Sequence, residues 1–127
     1  MANAPPSIAV VDDDPAVLKA LSRLLRSHAF HVHTYGSGQE FLDSLPDGLP
    51  ECLIADLQMP AMSGQELQQH LVRNGFNIPT IIITARRDTS LLQENPGLVA
   101  FLFKPLQEST LFAAIDRALN VSRDRSP

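Results

Sequence analysis

The chain has 127 residues, of which 44% are hydrophobic and 19% are charged, and its formal net charge is −4. This length and composition predict one globular domain with its own core and exclude an intrinsically disordered chain. The acidic balance argues against direct nucleic-acid binding by this segment, and no apolar run is long enough to cross a membrane. Residues 1–7 lack the basic start and apolar stretch of a signal peptide.

Apolar, strand-like runs alternate with helical patterns along the chain. The strands are predicted at Ser7–Asp12, His31–Tyr35, Glu51–Asp56, Thr80–Thr84 and Val99–Phe103. Three of these runs are almost continuously hydrophobic, as is typical of parallel strands covered on both faces, whereas the second alternates as an edge strand does. The strand–helix order with short links therefore predicts the α/β class, as a doubly wound, three-layer (βα)5 sandwich with a parallel five-stranded sheet and right-handed crossovers.

Capping residues mark the helix boundaries. Asp14 is the predicted N-cap of the first helix, and Pro15 follows at the position where a missing N–H costs nothing. Capping boxes are predicted at the starts of the second and third helices, at Ser37 with Glu40 and at Ser63 with Glu66. Gly75 is the expected stop of the third helix.

The fourth helix has the shortest helical pattern. Few residues separate Asp88 from Asn95-Pro96-Gly97, so this helix is expected to be short, frayed or partly replaced by loop. Gln107 stands where a stronger N-cap would open the last helix. The domain is predicted to span residues 7–120, after a disordered N-terminus at residues 1–6 and before a tail or the start of a linker at residues 121–127.

Polar residues stand where the predicted strands end. They are Asp12, Asp13 and Asp14 after the first strand, Asp56 after the third, Thr84 after the fourth and Lys104 after the fifth. Ligand sites of open parallel sheets lie beyond the carboxyl ends of the strands, so these side chains are expected to converge. Two carboxylates ~5 Å apart repel by roughly 3 kcal/mol at an effective dielectric constant of ~20. The cluster should therefore protonate one carboxyl or bind a cation, and hard oxygen ligands favour Mg²⁺.

Each of these residues also has a structural interpretation. Capping of the next helix would explain the run of aspartates, although Asp14 alone is sufficient for that role. Asp56 could be an ordinary loop residue, whereas beside Mg²⁺ it would be a carboxylate nucleophile toward phosphorus. Lys104 could be a solvated surface lysine, but its place at a strand end before a proline favours neutralisation of a transferring phosphate.

Cys52 and the histidines of the second strand are given structural interpretations. Cys52 is the one cysteine, so it cannot form an internal disulfide, and a small buried apolar role is expected, consistent with a reducing cytoplasm. His31 and His33 share a strand face and could pair on a metal ion, but no acidic or thiol partner is evident nearby in the sequence. An exposed edge strand is favoured for them.

Several short motifs together resemble the receiver domains of bacterial two-component response regulators. They are Val10-Val11-Asp12-Asp13-Asp14, Asp56-Leu57-Gln58-Met59-Pro60, Met62-Ser63-Gly64, Ile83-Thr84-Ala85 and Lys104-Pro105. Each motif alone is weak, but their order and spacing from about residue 7 to residue 120 are highly specific. The chain most resembles the subgroup that commonly precedes helix-turn-helix DNA-binding domains. The resemblance implies a flavodoxin-like sheet with strand order 2-1-3-4-5.

The resemblance implies a role for each residue of the site. Asp56 would accept a phosphoryl group from a sensor histidine kinase or a phosphotransfer protein. Asp13 would coordinate Mg²⁺ directly and Asp12 through a water molecule, with Asp56 and the backbone carbonyl of Gln58 as further ligands. The phosphoryl oxygens would be bound by the Thr84 hydroxyl, the Ala85 N–H and the Lys104 ammonium. The Lys104–Pro105 peptide bond would be cis, and Pro60 and Gly64 would shape the loop after Asp56.

Phe101 stands at the position of an aromatic switch in the resemblance. On phosphorylation Thr84 would move toward the new oxygens and Phe101 would turn into the vacated space, whereas a plain core aromatic is the alternative. The switch would control an output domain or partner in the cytoplasm, with transcription regulation expected and a phosphorylation-dependent homodimer as one option. Arg86 could contact the phosphoryl group, or Arg86 and Arg87 could be a solvated loop pair.

Three rival functions remain open. A Mg²⁺-dependent phosphohydrolase would use Asp56 as nucleophile, but it would require an acid/base carboxylate two residues later, where Gln58 stands. A flavodoxin-like cofactor binder would require a Gly/Ser/Thr-rich phosphate loop after the first strand, where aspartates stand instead. An interaction domain that is never phosphorylated is disfavoured because all key positions are filled. A phosphorylatable signalling domain is therefore expected, and not an enzyme acting on a separate substrate.

Overall fold

A computed structural model of the chain describes residues 5–85 and 97–124 and shows a three-layer α/β fold. The strands are β1 Ser7–Val11, β2 His31–Tyr35, β3 Cys52–Asp56, β4 Thr80–Thr84 and β5 Leu98–Phe103. The helices are α1 Pro15–Ser27, α2 Gly38–Ser44, α3 Gly64–Arg73 and α4 Glu108–Asp124, and a 3-10 turn covers Leu45–Asp47. All strand pairs are parallel and the order is β2-β1-β3-β4-β5, which confirms the predicted fold.

Two hydrophobic clusters cover the two faces of the sheet. On one face, side chains from the strands pack with residues of α1 and α4, among them Leu25 and Ile115. On the other face they pack with residues of α2 and α3, among them Phe41 and Leu67. Every residue of β3 and β4 is buried, which explains why these two runs are so uniformly apolar in the sequence. The core thus fixes the central strands whose ends carry the polar residues.

The predicted caps are present with one variation. The Asp14 side chain accepts a hydrogen bond from the Ala16 N–H at 2.9 Å, and α1 begins at Pro15. The capping box of α3 is complete, because Ser63 and Glu66 each accept from the backbone N–H of the other. At α2 one half of the capping box is present, because the Ser37 hydroxyl accepts a hydrogen bond from the N–H of Glu40. The Glu40 carboxylate, however, accepts from the N–H of Gly36 and not from that of Ser37. Gly75 ends α3 with φ +79°, a conformation that favours glycine.

Arginine side chains reach both edges of the sheet. At the β2 edge, the Arg26 guanidinium of α1 donates a hydrogen bond to the backbone oxygen of Val32 at 3.3 Å. At the β5 edge, the Arg117 guanidinium of α4 donates to the backbone oxygen of Val99. Each edge strand therefore has an outward carbonyl that is already bonded to a cation from the helix beside it.

Element ends differ from the predicted ones by a few residues. β1 ends at Val11 and β3 begins at Cys52, while α4 continues to Asp124, beyond the predicted domain end at Asn120. Pro6 accepts a backbone hydrogen bond from His31 at 2.9 Å, so sheet pairing extends into the segment predicted as disordered. The predicted fourth helix and Arg86 and Arg87 lie outside the described residues. No helix in the described parts of the chain is long and apolar enough to cross a membrane.

Candidate acidic site at the strand ends

The parallel register brings four strand ends to one edge of the sheet. Asp12 follows β1, Asp56 ends β3, Thr84 ends β4 and Lys104 follows β5. Asp56 lies in register with Ile83 of β4, one position before Thr84. Thr84 in turn accepts a backbone hydrogen bond from the Lys104 N–H at 2.9 Å. Residues separated by up to 92 positions in sequence therefore meet at a single site.

Three carboxylates and one ammonium form the centre of this site. One carboxylate oxygen from each of Asp12, Asp13 and Asp56 lies within 4.8 Å of the others. The Lys104 Nζ lies 3.5 Å from Asp12 Oδ2 and 3.7 Å from Asp56 Oδ2. The side chains of Asp12 and Asp56 are 0% and 9% exposed, and that of Lys104 is 28% exposed. Lys104 thus bridges the two buried carboxylates, while Asp13 lies at the exposed side of the cluster.

Backbone N–H groups orient the buried carboxylates. Asp12 Oδ1 accepts from the N–H of Asp14 at 2.9 Å, and Asp56 Oδ1 accepts from the N–H of Gln58 at 3.4 Å. The Asp14 carboxylate instead caps α1 and is not part of the three-carboxylate group. The run of aspartates is therefore divided between the predicted helix cap, Asp14, and two members of the carboxylate cluster, Asp12 and Asp13.

Burial and the neighbouring carboxylates raise the pKa of Asp56 above its usual value of 3.8. Desolvation is the largest cause, and the charge of Asp12 adds to it, with a smaller contribution from Asp13. The Lys104 ammonium and the N–H of Gln58 act in the opposite direction and favour the ionised carboxylate. Asp56 is thus held in an environment where its charge is poorly stabilised by the protein alone.

The loop between β3 and α3 passes very close to Asp56. A Cβ atom placed on Gly64 would lie 2.5 Å from the backbone oxygen of Asp56, which is closer than real Cβ contacts. The Gly64 N–H donates to the backbone oxygen of Leu57 at 3.0 Å, and Ala61 has a positive φ of 68°. The predicted role of Gly64 in shaping this loop therefore has a steric basis, whereas nothing in the sequence marks Ala61.

The remaining predicted residues lie around the same sheet edge. Thr84 is fully buried, and Ala85 is exposed directly after it. Phe101 is half-buried and lies in register with Ile82, so Thr84 and Phe101 point to the same face of the sheet two positions apart. The peptide bond between Lys104 and Pro105 is cis. Gln58 is exposed, with its backbone at the acidic cluster.

The donor set fits a hard divalent cation. Among the residues that the structure describes, three carboxylates and one ammonium give the site a net charge of two negative units. Carboxylate oxygens are the ligands that Mg²⁺ prefers, and Mg²⁺ needs few of them because it retains several waters. Asp12, Asp13 and Asp56 therefore form an acidic cluster suited to Mg²⁺.

Residues outside the cluster agree with their structural interpretations. Cys52 is a free, fully buried thiol in β3, and burial raises its pKa to about 12. His31 and His33 are exposed on β2, which is an edge strand of the sheet. The edge-strand prediction for the two histidines is therefore confirmed.

Comparison with known proteins identifies the class. The family model of the response regulator receiver domain matches residues 8–116, and the chain belongs to this family. Response regulator protein TmoT of Ectopseudomonas mendocina is 38% identical over 117 residues, which cover 91% of this chain and 53% of TmoT. Transcriptional regulatory protein FixJ of Rhizobium meliloti is 37% identical over 114 residues, covering 88% of this chain and 56% of FixJ. The chain thus spans about half the length of these relatives.

Solved structures agree with this assignment. The crystal structure of FixJ-N superimposes with a TM-score of 0.83 at 34% identity, covering 94% of this chain and 96% of that one. Response regulator StyR gives a TM-score of 0.83 at 36% identity and covers 96% of this chain and 63% of its own. The predicted resemblance to receiver domains is confirmed.

Proposed function

We propose that Asp56 is the phospho-acceptor of this receiver domain. The observation that carries the proposal is the position of its carboxylate at the end of β3, beside the carboxylates of Asp12 and Asp13 and in contact with the Lys104 ammonium. One Asp56 oxygen attacks the phosphorus atom, a new P–O bond forms, and the bond between phosphorus and the imidazole nitrogen of a donor phosphohistidine breaks. The electron pair of that bond leaves with the donor imidazole.

Lys104 and the end of β4 stabilise the charge that this transfer creates. The contact of the Lys104 ammonium with Asp56 Oδ2 supports a role for it in neutralising both the carboxylate and the incoming phosphoryl group. We assign the Thr84 hydroxyl and the Ala85 N–H to the phosphoryl oxygens. The same ammonium opposes the raised pKa of Asp56, which keeps more of this carboxyl in its nucleophilic, ionised form.

Magnesium is the proposed cofactor. Asp12, Asp13, Asp56 and the backbone carbonyl of Gln58 would hold Mg²⁺, which would supply positive charge beside the acceptor carboxylate and the phosphoryl oxygens. This role is supported by the net charge of two negative units that the described carboxylates and the Lys104 ammonium give the cluster. The chain's residues promote transfer to Asp56 and the later loss of that phosphate, but they are not proposed to act on a separate substrate.

A conformational switch is proposed to carry the signal. Thr84 and Phe101 lie on neighbouring strands and face the same side of the sheet, so movement of Thr84 toward a phosphoryl oxygen would change the space available to Phe101. To convert a 1:99 mixture of inactive and active states to 99:1, the phosphate must favour the active state by about 5.5 kcal/mol. The threonine and the aromatic ring are the candidates for transmitting this difference.

The proposed partners follow from the family. The donor is a sensor histidine kinase or a phosphotransfer protein, and the receptor of the signal is a linked or separate output domain, in the cytoplasm. A role in transcription is proposed because FixJ is a transcriptional regulatory protein and this chain covers only part of it. Phosphorylation-dependent homodimerisation is a further part of the proposal.

Acetyl phosphate with Mg²⁺ tests the acceptor assignment. The chain is incubated with the small phosphodonor and its intact mass is measured, and one phosphate-sized adduct is expected. Asp56→Asn should remove the adduct, and chelation of Mg²⁺ should prevent it. Asp14→Asn is the matched control, because Asp14 caps α1 and lies outside the three-carboxylate group, so its adduct should remain. An adduct that persists in Asp56→Asn, or none with any donor, would overturn the proposal.

A further inference from the structure

The imidazole rings of His31 and His33 form an unassigned pair on the edge of the sheet. They alternate with Val32 along β2, so both rings stand on the same face of the strand while Val32 packs into the core on the other face. The two ring centroids are 4.9 Å apart and the rings are inclined by 62°. Both residues are exposed, and within the described part of the chain neither imidazole is engaged in a hydrogen bond or ion pair.

From this geometry we propose that His31 and His33 together bind one borderline divalent metal ion of the Zn²⁺, Ni²⁺ and Cu²⁺ class. A metal–nitrogen distance of about 2.0–2.1 Å places each ring centroid roughly 3.2 Å from the ion, so two rings at an angle of about 90–110° have centroids roughly 4.5–5.2 Å apart. The observed separation of 4.9 Å falls in this range. The distance between the two rings is therefore compatible with a shared ion, and water would fill the other positions.

The chemistry of the pair distinguishes it from the acidic site. Imidazole nitrogens suit Zn²⁺, Ni²⁺ and Cu²⁺, whereas the carboxylates of the acidic site suit Mg²⁺. The site also differs in position, because His31 begins β2 and the acidic cluster lies beyond the opposite, carboxyl ends of the strands. The histidine pair and the acidic cluster can therefore hold different ions at the same time.

The surroundings favour a cation beside His33. Asp47 and His33 line the same surface cavity of about 360 Å³, together with the hydroxyl-bearing side chains of Tyr35 and Ser44. The carboxylate of Asp47 adds negative charge to this side of the pair. The Arg26 guanidinium, which reaches this strand, is bonded to the Val32 backbone oxygen and comes from α1 on the opposite face of the sheet.

Calorimetric titration of the untagged chain with Ni²⁺, in excess Mg²⁺, tests the proposal. His31→Gln and His33→Gln each remove one ligand, and His70→Gln is the matched control because His70 is an exposed histidine on α3. The wild type and His70→Gln should bind one Ni²⁺ with equal affinity. Each of the other two variants should bind at least about tenfold more weakly, because the second imidazole no longer acts at a high effective concentration.

Thermal unfolding gives an independent readout that does not depend on phosphorylation. Ni²⁺ should raise the melting temperature of the wild type and of His70→Gln, and a chelator should reverse the shift. His31→Gln and His33→Gln should show little shift, whatever their melting temperatures without metal. If both variants bind Ni²⁺ as tightly as the wild type, or if His70→Gln loses affinity equally, the proposal is overturned.

Discussion

The Asp56 carboxylate destabilises the folded protein in the absence of a divalent cation, so we expect Asp56→Asn to be more stable than the wild type. Its oxygen lies within 4.8 Å of oxygens of Asp12 and Asp13. At that distance the buried carboxylate of Asp12 repels that of Asp56 by about 3.5 kcal/mol at an effective dielectric constant of about 20, and the exposed carboxylate of Asp13 adds a smaller repulsion. The Lys104 ammonium, 3.7 Å from Asp56 Oδ2, attracts the carboxylate by roughly 4.5 kcal/mol at the same dielectric constant.

Two features decide that the repulsion exceeds the attraction. The Lys104 ammonium is shared with Asp12, at 3.5 Å, and its side chain is 28% exposed, so solvent weakens its effect. Desolvation of Asp56 adds to the repulsion and is the main reason that its pKa is raised. The uncharged amide of asparagine can still accept from the N–H of Gln58. We therefore expect a gain of about 1–2 kcal/mol in the free energy of unfolding at pH 7.

The pH dependence follows from the direction of the pKa shift. Because the folded pKa of Asp56 lies above its unfolded value, the folded state binds the proton more tightly and the wild type loses stability as pH rises through this range. The difference between Asp56→Asn and the wild type should thus be smallest below about pH 4 and should grow toward pH 7.

Urea unfolding in chelator, measured across this pH range, tests the prediction. Asp116→Asn is the control, since it removes the same charge from an exposed position on α4 and should change stability by no more than about 0.5 kcal/mol. Added Mg²⁺ should stabilise the wild type more than Asp56→Asn, which lacks one carboxylate of the proposed metal site. Equal or lower stability of Asp56→Asn at pH 7, with no change of the difference with pH, would refute the reasoning.

Two further predictions concern the same end of the sheet. Gly64→Ala should lower stability by about 1–3 kcal/mol and also slow phosphorylation by acetyl phosphate, because its Cβ would displace the Asp56 backbone. Gly75→Ala is the control, because Gly75 has a positive φ but has open space around it. This substitution should lower stability by about 1 kcal/mol and leave phosphorylation unchanged. Equal phosphorylation rates in the two variants would contradict the steric explanation. Cys52 should react with an aromatic disulfide reagent at pH 8 only when β3 opens, because the thiol is buried and its pKa is about 12. Urea should therefore accelerate labelling of the chain, and rapid labelling of the native protein would show that β3 is accessible.

The sequence predicts the order of elements because the chain follows local rules closely. The central strands are almost entirely apolar, and Asp14 and Ser63 are the N-caps of α1 and α3. The hydrophobic periodicity and the capping residues therefore indicate the same elements. The convergence of the strand ends could also be predicted, since it is a property of every parallel sheet. The assignment of individual roles at the site, in contrast, came from the family resemblance.

Other features depend on contacts that local patterns do not encode. Glu40 has capping-box spacing from Ser37, but its carboxylate reaches the N–H of Gly36, because the chain entering the helix presents that group instead. Ala61 adopts a positive φ although alanine does not favour it, since the loop must return α3 against the end of β3. The spacing of the imidazoles of His31 and His33 likewise depends on side-chain conformation and could not be read from their alternation.

The arginines at the sheet edges restrict how this domain can associate. A second chain that added a strand beside β2 or β5 would first have to break the hydrogen bond from Arg26 to Val32 or from Arg117 to Val99. It would also leave the displaced guanidinium without its backbone acceptor, so growth of the sheet across molecules is opposed at both ends. A signalling partner is thus directed to helix and loop surfaces, where contact and release can follow phosphorylation without a backbone ladder being built or dismantled.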